Sequence, residues 1–293
     1  MAEPLFDDKF LKRLEYLFVV SKKIFAGRLR AKRKTKIVGS GLEFADYREY
    51  SPGDDLRYLD WNLLARTDRM LIRLFEEEED LFIYFLVDCS RSMQVGTGRK
   101  AVYAKRLAAA LSYIGLSNMD RVSVVPFADK LLGRLPPARG KAQIFKVLRF
   151  LEQDFKGSGT DLKSAFRKFS SQNKRRGLVV LISDFYDVQG AQEAINFLRF
   201  QRFEPLVCHV YDEADLEPDM RGDLELVDCE TGDRVQVTVT PDLLKRYRQA
   251  HEALMDEVAT FCTQKQVLYF RAPVQIPFDE LVLKVFRAGG FLR

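Results

Sequence analysis

The chain has 293 residues, 47% of them hydrophobic and 30% charged, with 23 Phe and a formal net charge of +5. That is enough apolar material for a sizeable core and too much for an intrinsically disordered chain. Four scattered cysteines (Cys89, Cys208, Cys229, Cys262) without a CxxC pair exclude a zinc ribbon and a disulfide scaffold, and His209 and His251 sit in no HExxH, which disfavours histidine-dependent hydrolysis.

The chain begins Met-Ala-Glu-Pro-Leu-Phe-Asp-Asp, acidic where an export signal is basic. Its longest clean apolar run, Leu81–Val87, is far short of the roughly 20 residues that cross a bilayer. A reduced, cytoplasmic protein is therefore expected. Residues 6–20 place Phe6, Leu11, Leu14, Leu17 and Phe18 at helical spacing. A basic stretch follows, from Lys22 and Lys23 through Arg28, Arg30, Lys32, Arg33 and Lys34 to Lys36. No aromatic–basic stacking pattern or nucleic-acid motif accompanies it, so it reads as a solvated, amphipathic stretch with no nucleic-acid partner. Residues 39–73 are dense in turn and charge signals, and the acidic run Glu76–Asp80 reads as a solvated face.

From residue 81 the rhythm becomes that of an α/β domain. Leu81–Val87 is a strand buried on both faces, residues 99–116 a helix, and Arg121–Phe127 a second strand, with Lys130–Leu135 as an antiparallel edge. Residues 141–150 are helical, and a Gly-rich loop opens another helix running to Phe169. Leu178–Ile182 is a third apolar strand, ending in Ser183-Asp184, and a helix near 190–202 leads to the strand Pro205–Tyr211. A β-hairpin spans 224–228 and 234–240, Pro241 starts a helix to about Gln264, and a strand (267–270) and a helix (278–286) close the chain. This alternation implies a mostly parallel sheet with helices on both faces.

Ligands of such sheets bind at the carboxyl ends of the strands. Three polar clusters lie there: Asp88-Cys89-Ser90-Arg91-Ser92 after the first strand, Thr160 in Gly157-Ser158-Gly159-Thr160-Asp161, and Asp184 after the strand 178–183. In an extended turn Asp88, Ser90 and Ser92 project to one side. Two carboxylates and three hydroxyls form a hard, all-oxygen set suited to Mg²⁺ or Mn²⁺. The plainer alternatives are that Asp88 and Asp184 cap turns and that Thr160 or Asp161 caps the next helix. Asp187 is a second choice to Asp184. Of the histidines, His209 reads as a packed sheet residue and His251 as exposed on a charged helix.

In order and placement these clusters resemble the von Willebrand factor A fold and its metal-ion-dependent adhesion site, D-x-S-x-S being Asp88 to Ser92, the loop threonine Thr160 and the later aspartate Asp184. The likeness covers roughly residues 79–212, and the last strand and helix more loosely. It implies a metal ion with a coordination position that an acidic residue of a partner fills, and a last helix that shifts on binding.

A second resemblance rests on Leu42-Glu43-Phe44-Ala45-Asp46-Tyr47-Arg48-Glu49-Tyr50, on Pro52-Gly53-Asp54-Asp55-Leu56-Arg57-Tyr58-Leu59-Asp60-Trp61 and on Ala65-Arg66-Thr67. These look like the signature of domain-of-unknown-function family 58. That resemblance implies a bacterial protein working beside a MoxR-type AAA+ ATPase in chaperone-like assembly or maturation of complexes. Many members carry membrane helices. By its residues alone, the segment reads as an ion-pair network anchoring an extension, with Trp61 as an interface anchor if exposed.

The organisation expected is an N-terminal region (1–78) packed on a von Willebrand factor A-like, Rossmann-type α/β domain (79–293) with a hairpin insertion near 223–240. The function expected is non-enzymatic, metal-dependent protein binding, through Asp88, Ser90, Ser92, Thr160 and Asp184. The alternative is a phosphoesterase-like, metal-dependent hydrolase using Asp88 and Asp184. A nucleotide-binding GxxxxGK[ST] loop is absent, and neither Gly96-Thr97-Gly98-Arg99-Lys100 nor Gly140-Lys141 replaces it.

Overall fold

A computed structural model of the chain describes residues 5–25, 34–38, 43–78, 81–96, 98–155, 157, 162–229 and 232–287. The chain divides into two compact units, residues 1–21 with 81–291 and residues 22–80 with 292–293. The first helix, α1 (Asp8–Phe25), thus lies for most of its length in the larger unit.

The smaller unit contains β1 (Lys34–Val38), β2 (Glu43–Glu49), α2 (Trp61–Thr67) and β3 (Leu71–Glu78). The strands form an antiparallel sheet in the order β1-β3-β2. Asp60 holds this unit together. One carboxylate oxygen accepts from the Leu63 amide (3.0 Å) and so caps α2, while the other accepts from Tyr47 Oη of β2 and Arg73 Nε of β3, each at 2.9 Å. Arg73, followed by the Leu63 amide, pulls the Asp60 carboxyl down to about 2. Arg48–Asp54 (2.8 Å) and Arg57–Asp55 (2.6 Å) are further ion pairs inside the unit, and Trp61 is exposed.

The turn-rich segment expected over 39–73 therefore contains a strand, a helix and the start of another strand. The strand β2 gave no period-two signal because Phe44, Asp46, Tyr47 and Glu49, on both its faces, are exposed. Within the acidic run, Glu76–Glu78 continue β3, whose register sets Glu76 opposite Lys36 and Glu78 opposite Lys34.

The larger unit continues with β4 (Phe82–Asp88), α3 (Arg99–Ser117), β5 (Arg121–Phe127), β6 (Leu135–Arg139), α4 (Ile144–Leu151), α5 (Leu162–Gln172), β7 (Leu178–Ser183) and α6 (Val188–Phe200). It closes with β8 (Glu204–Tyr211), α7 (Glu213–Leu216), β9 (Gly222–Val227), β10 (Arg234–Val239), α8 (Pro241–Gln264), β11 (Leu268–Pro273) and α9 (Phe278–Arg287). Six strands form a sheet in the order β11-β8-β7-β4-β5-β6, parallel except for β6. The strands β9 and β10 pair as a separate hairpin between α7 and α8.

Helices cover both sheet faces. On one, Tyr84, Leu86, Val179, Leu181 and Val207 pack with Phe166 and Phe169 of α5, Ile195 and Leu198 of α6, and Val258 and Cys262 of α8. On the other, α3 lies so close that a Cβ on Gly115 would come within 2.9 Å of Val122 and 3.1 Å of Ile83. The helix α1 covers this layer, with the Phe10 ring tilted against Phe278 of α9 at 4.8 Å and Phe18 lying 6.1 Å from Tyr113 of α3. Among the described residues, no helix is long and apolar enough to cross a membrane.

Two local expectations need correction, and one element is new. The antiparallel edge lies at 135–139 instead of 130–135, since Pro136 and Pro137 hide a strand that the edge position tolerates. His251 is buried, not exposed, because His251, Met255, Val258 and Cys262 form the inward stripe of α8. The short α7 was not foreseen.

The Asp60 network makes a pH-dependent contribution. A carboxyl held below its unfolded value stabilises the fold above that value and loses the effect as pH falls through the folded one. The small unit should therefore weaken between pH 3.8 and about 2. Trp61, the single Trp, adjoins Asp60, and its fluorescence during acid titration reports this transition. The Asp60→Asn protein, which keeps a capping side chain, should be less stable at pH 7 and lack this component of the acid profile; an unchanged profile would refute the assignment.

Candidate functional site

The sheet reverses its winding between β4 and β7, because β5 follows β4 on one side and β7 lies on the other. Loops leaving two such strands diverge and open a crevice at their carboxyl ends. Asp88 ends β4 and Asp184 follows β7, so the two carboxylates stand at this opening, both buried.

Hydrogen bonds tie Asp88 to the serines around it. The Asp88 Oδ1 accepts from the Ser90 amide at 2.8 Å and Oδ2 from Ser183 Oγ at 2.5 Å. Ser90 Oγ lies 2.9 Å from Ser92 Oγ, and the Ser92 hydroxyl is near enough to Asp184 to favour its ionised form. Ser183 Oγ also accepts from the Phe185 amide at 3.1 Å. Phe185 is buried with a left-handed φ of 48°, an unfavourable conformation for a bulky residue, and it turns the chain directly after Asp184.

Burial and then the neighbouring Asp184 raise the Asp88 carboxyl to about 7. Burial raises Asp184 as well, against the opposing pull of Lys100. Lys100, in the first turn of α3, is itself buried, with Nζ 3.1 Å from Asp184 Oδ2, 3.0 Å from Asp215 Oδ2 and 4.8 Å from the Tyr186 ring centroid. Burial works against its charge, but Asp184, Tyr186 and Asp215 outweigh that effect and lift its pKa above the ordinary value. Beside it, Arg99 pairs at 3.4 Å with Asp212, whose other oxygen caps α7.

His209 stands behind the site. It is buried, its Nδ1 lies 3.0 Å from Tyr269 Oη, and the Asp184 backbone is near enough to favour its charged form. Burial drives its pKa down to about 3, so it is a neutral support for the Asp184 turn. The crevice opens into a cavity of about 1200 Å³ lined also by Leu226 and Val237 of the hairpin and Leu244 and Tyr247 of α8.

Of the five residues expected to converge, Asp88, Ser90, Ser92 and Asp184 form one connected cluster. Thr160 and Asp161 lie outside the described residues. The start of their loop does lie near Asp88: Gly157 packs so tightly that a Cβ would sit 2.1 Å from Ala128 Cβ and 3.5 Å from the Cys89 carbonyl. Asp187, the alternative to Asp184, is the N-cap of α6 and accepts from the Gly190 amide at 2.9 Å.

The oxygen donors suit a hard cation, and two adjacent buried carboxylates gain from one. Among the described residues, no three His, Cys, Asp or Glu side chains form a metal cluster, so a cation here depends on the serine hydroxyls. The residue sequence reasoning missed is Lys100. Its signal was present: Arg99 and Lys100 open a helix whose first turn has no acid, against the preference of the helix dipole.

Comparison with known proteins places the chain. Residues 46–257 match the family described as "Protein of unknown function DUF58". The chain belongs to this family. Among similar proteins, an uncharacterized protein of Mycobacterium tuberculosis is 30% identical over 264 residues, covering 86% of this chain and 81% of its own. An uncharacterized protein of Mycobacterium bovis matches to the same extent. Among solved structures, the conserved hypothetical protein BatB from Bacteroides thetaiotaomicron is 17% identical with a TM-score of 0.43, covering 71% of this chain and 99% of that one. An aerotolerance-related membrane protein from Bacteroides fragilis is 19% identical with a TM-score of 0.45, covering 71% and 97%.

The Ser183 hydroxyl links the ends of β4 and β7 through Asp88. A Ser183→Ala change leaves a buried carboxylate oxygen without its donor and should cost about 1–3 kcal/mol of stability. Urea unfolding followed by circular dichroism at pH 7 in a chelator measures this; a loss within error of zero would show that the bond is not structural.

Proposed function

We propose that this DUF58 protein is a non-enzymatic, metal-dependent protein-binding module with a von Willebrand factor A-like domain, working in the cytoplasm beside a MoxR-type AAA+ ATPase in the assembly or maturation of protein complexes. The observation that carries the reading is the connected cluster of Asp88, Ser90, Ser92 and Asp184 at the point where the sheet reverses direction. Asp88, Ser90, Ser92 and Asp184, together with Thr160 as the resemblance implies, would hold Mg²⁺ or Mn²⁺. The ion supplies a positive centre for a partner's Glu or Asp carboxylate.

The chain's own residues prepare that contact. Ser183 and the Ser90 amide fix both oxygens of Asp88, and His209 with the Phe185 turn fixes the backbone at Asp184. Leu226, Val237 and Leu244 give the cavity beside these residues apolar surface to bury against a partner. The partner named by the family resemblance is the ATPase, its client protein, or both.

The test is Mn²⁺ and Mg²⁺ calorimetry on the wild type and on Asp88→Ala, followed by a pull-down of the MoxR-type ATPase and its client in metal and in chelator. Expected are metal binding lost in the variant and partner capture that needs both metal and Asp88. Capture by Asp88→Ala equal to that of wild type in Mg²⁺ would end the metal-bridge reading. Phosphate-ester turnover on the same samples, lost in Asp88→Ala, would replace it with the hydrolase.

A further inference from the structure

Lys100 stands where the metal-site pattern calls for no cation. Its ammonium lies 3.1 Å from Asp184, a residue assigned above to a divalent ion, and its side chain is only 4% exposed. Nothing about this placement is incidental to the local chain. A lysine in the first turn of α3 opposes the helix dipole and needs carboxylates to offset it. They come from two elements: Asp184 after β7 and Asp215 on α7, with the Tyr186 ring at 4.8 Å giving a cation–π contact. The segment carrying Asp215 is itself fixed by Asp212, which caps α7, pairs with Arg99 and accepts from Gln275 at 2.6 Å.

We infer that the Lys100 ammonium is a tethered cation that competes with a divalent metal for Asp184 and shares itself between Asp184 and Asp215. The inference rests on the metal-binding reading of the site. Its logic is one of charge. Asp88 and Asp184, when ionised, carry two negative charges, and Lys100 returns one positive charge to the same buried space. A divalent ion must displace that ammonium from the Asp184 carboxylate or share the carboxylate with it, which weakens the ion's hold. Asp215, 3.0 Å from the ammonium, gives it a second anchor when metal takes Asp184, so that the ion with its two aspartates and the lysine with Asp215 are each balanced.

The test uses the full chain and Mn²⁺ or Mg²⁺ alone as the probe. By calorimetry, Lys100→Met should bind Mn²⁺ at least about tenfold more tightly than wild type, and Lys100→Arg, which keeps the charge, should stay within about threefold of it. The melting temperature supplies a second readout: Lys100→Met should melt below wild type in chelator and gain more from added Mn²⁺. Should Lys100→Met fail to fold, Asp215→Asn serves instead. It leaves the ammonium with Asp184 as its carboxylate partner and should weaken Mn²⁺ binding about threefold or more, whereas Asp219→Asn, an exposed cavity residue not paired with Lys100, should not. Wild-type binding with no gain in Lys100→Met, or with no loss in Asp215→Asn, overturns the inference and leaves the metal site standing. Absence of binding in wild type and variants alike overturns both.

Discussion

Two carboxylates buried side by side are unstable unless something positive or hydrogen-bonding meets them, and the larger unit is arranged around that constraint. Parallel pairing of β4 with β7 brings their carboxyl ends together, where Asp88 ends β4 and Asp184 directly follows β7. Ser90, Ser92 and Ser183 supply hydroxyls, the Ser90 backbone supplies an amide, and Lys100 supplies charge. Each donor comes from a segment whose position the site then constrains. The start of α3 is drawn in by Lys100, α7 by Asp215, and the turn after β7 by the unusual backbone of Phe185. The smaller unit solves a miniature of the same problem, with Asp60 satisfied by an amide, a phenol and a guanidinium.

Beyond the polar cluster, the insertion between β8 and β11 decides what kind of surface the site presents. The segment α7 closes one side with paired charges, and the hairpin and the N-terminal half of α8 add aliphatic and aromatic side chains. A crevice of charged residues alone would suit a small ion or a phosphate. A cavity that also exposes Leu226 and Tyr247 offers apolar area of the sort protein interfaces bury.

Much of this was legible in the sequence because strands buried on both faces write themselves as unbroken apolar runs. Leu81–Val87 and Leu178–Ile182 left little choice of structure, and Pro241 with its following stripe marked α8. The aspartates ending two of these strands were readable for the same reason. What escaped was whatever depended on partners distant in sequence. The strand β2 has no apolar alternation because both its faces are exposed, and its role becomes visible only through Asp60, 13 residues from each of Tyr47 and Arg73. The burial of His251 needed its inward stripe to be weighed above the charges around it. Lys100 looked like part of a failed phosphate loop, since the acids that hold it come from residues 184 and 215.

The two prolines of β6 have a consequence for how molecules of this kind meet others. Adjacent strand positions direct their amides to opposite sides, so Pro136 and Pro137 remove one donor facing β5 and one facing outward. The β6 margin of the sheet is thereby poor at accepting an added strand, whether from a second copy or from another chain. A border so poor in free donors discourages copies of the chain from adding to one another edge to edge and growing into a fibre along that side.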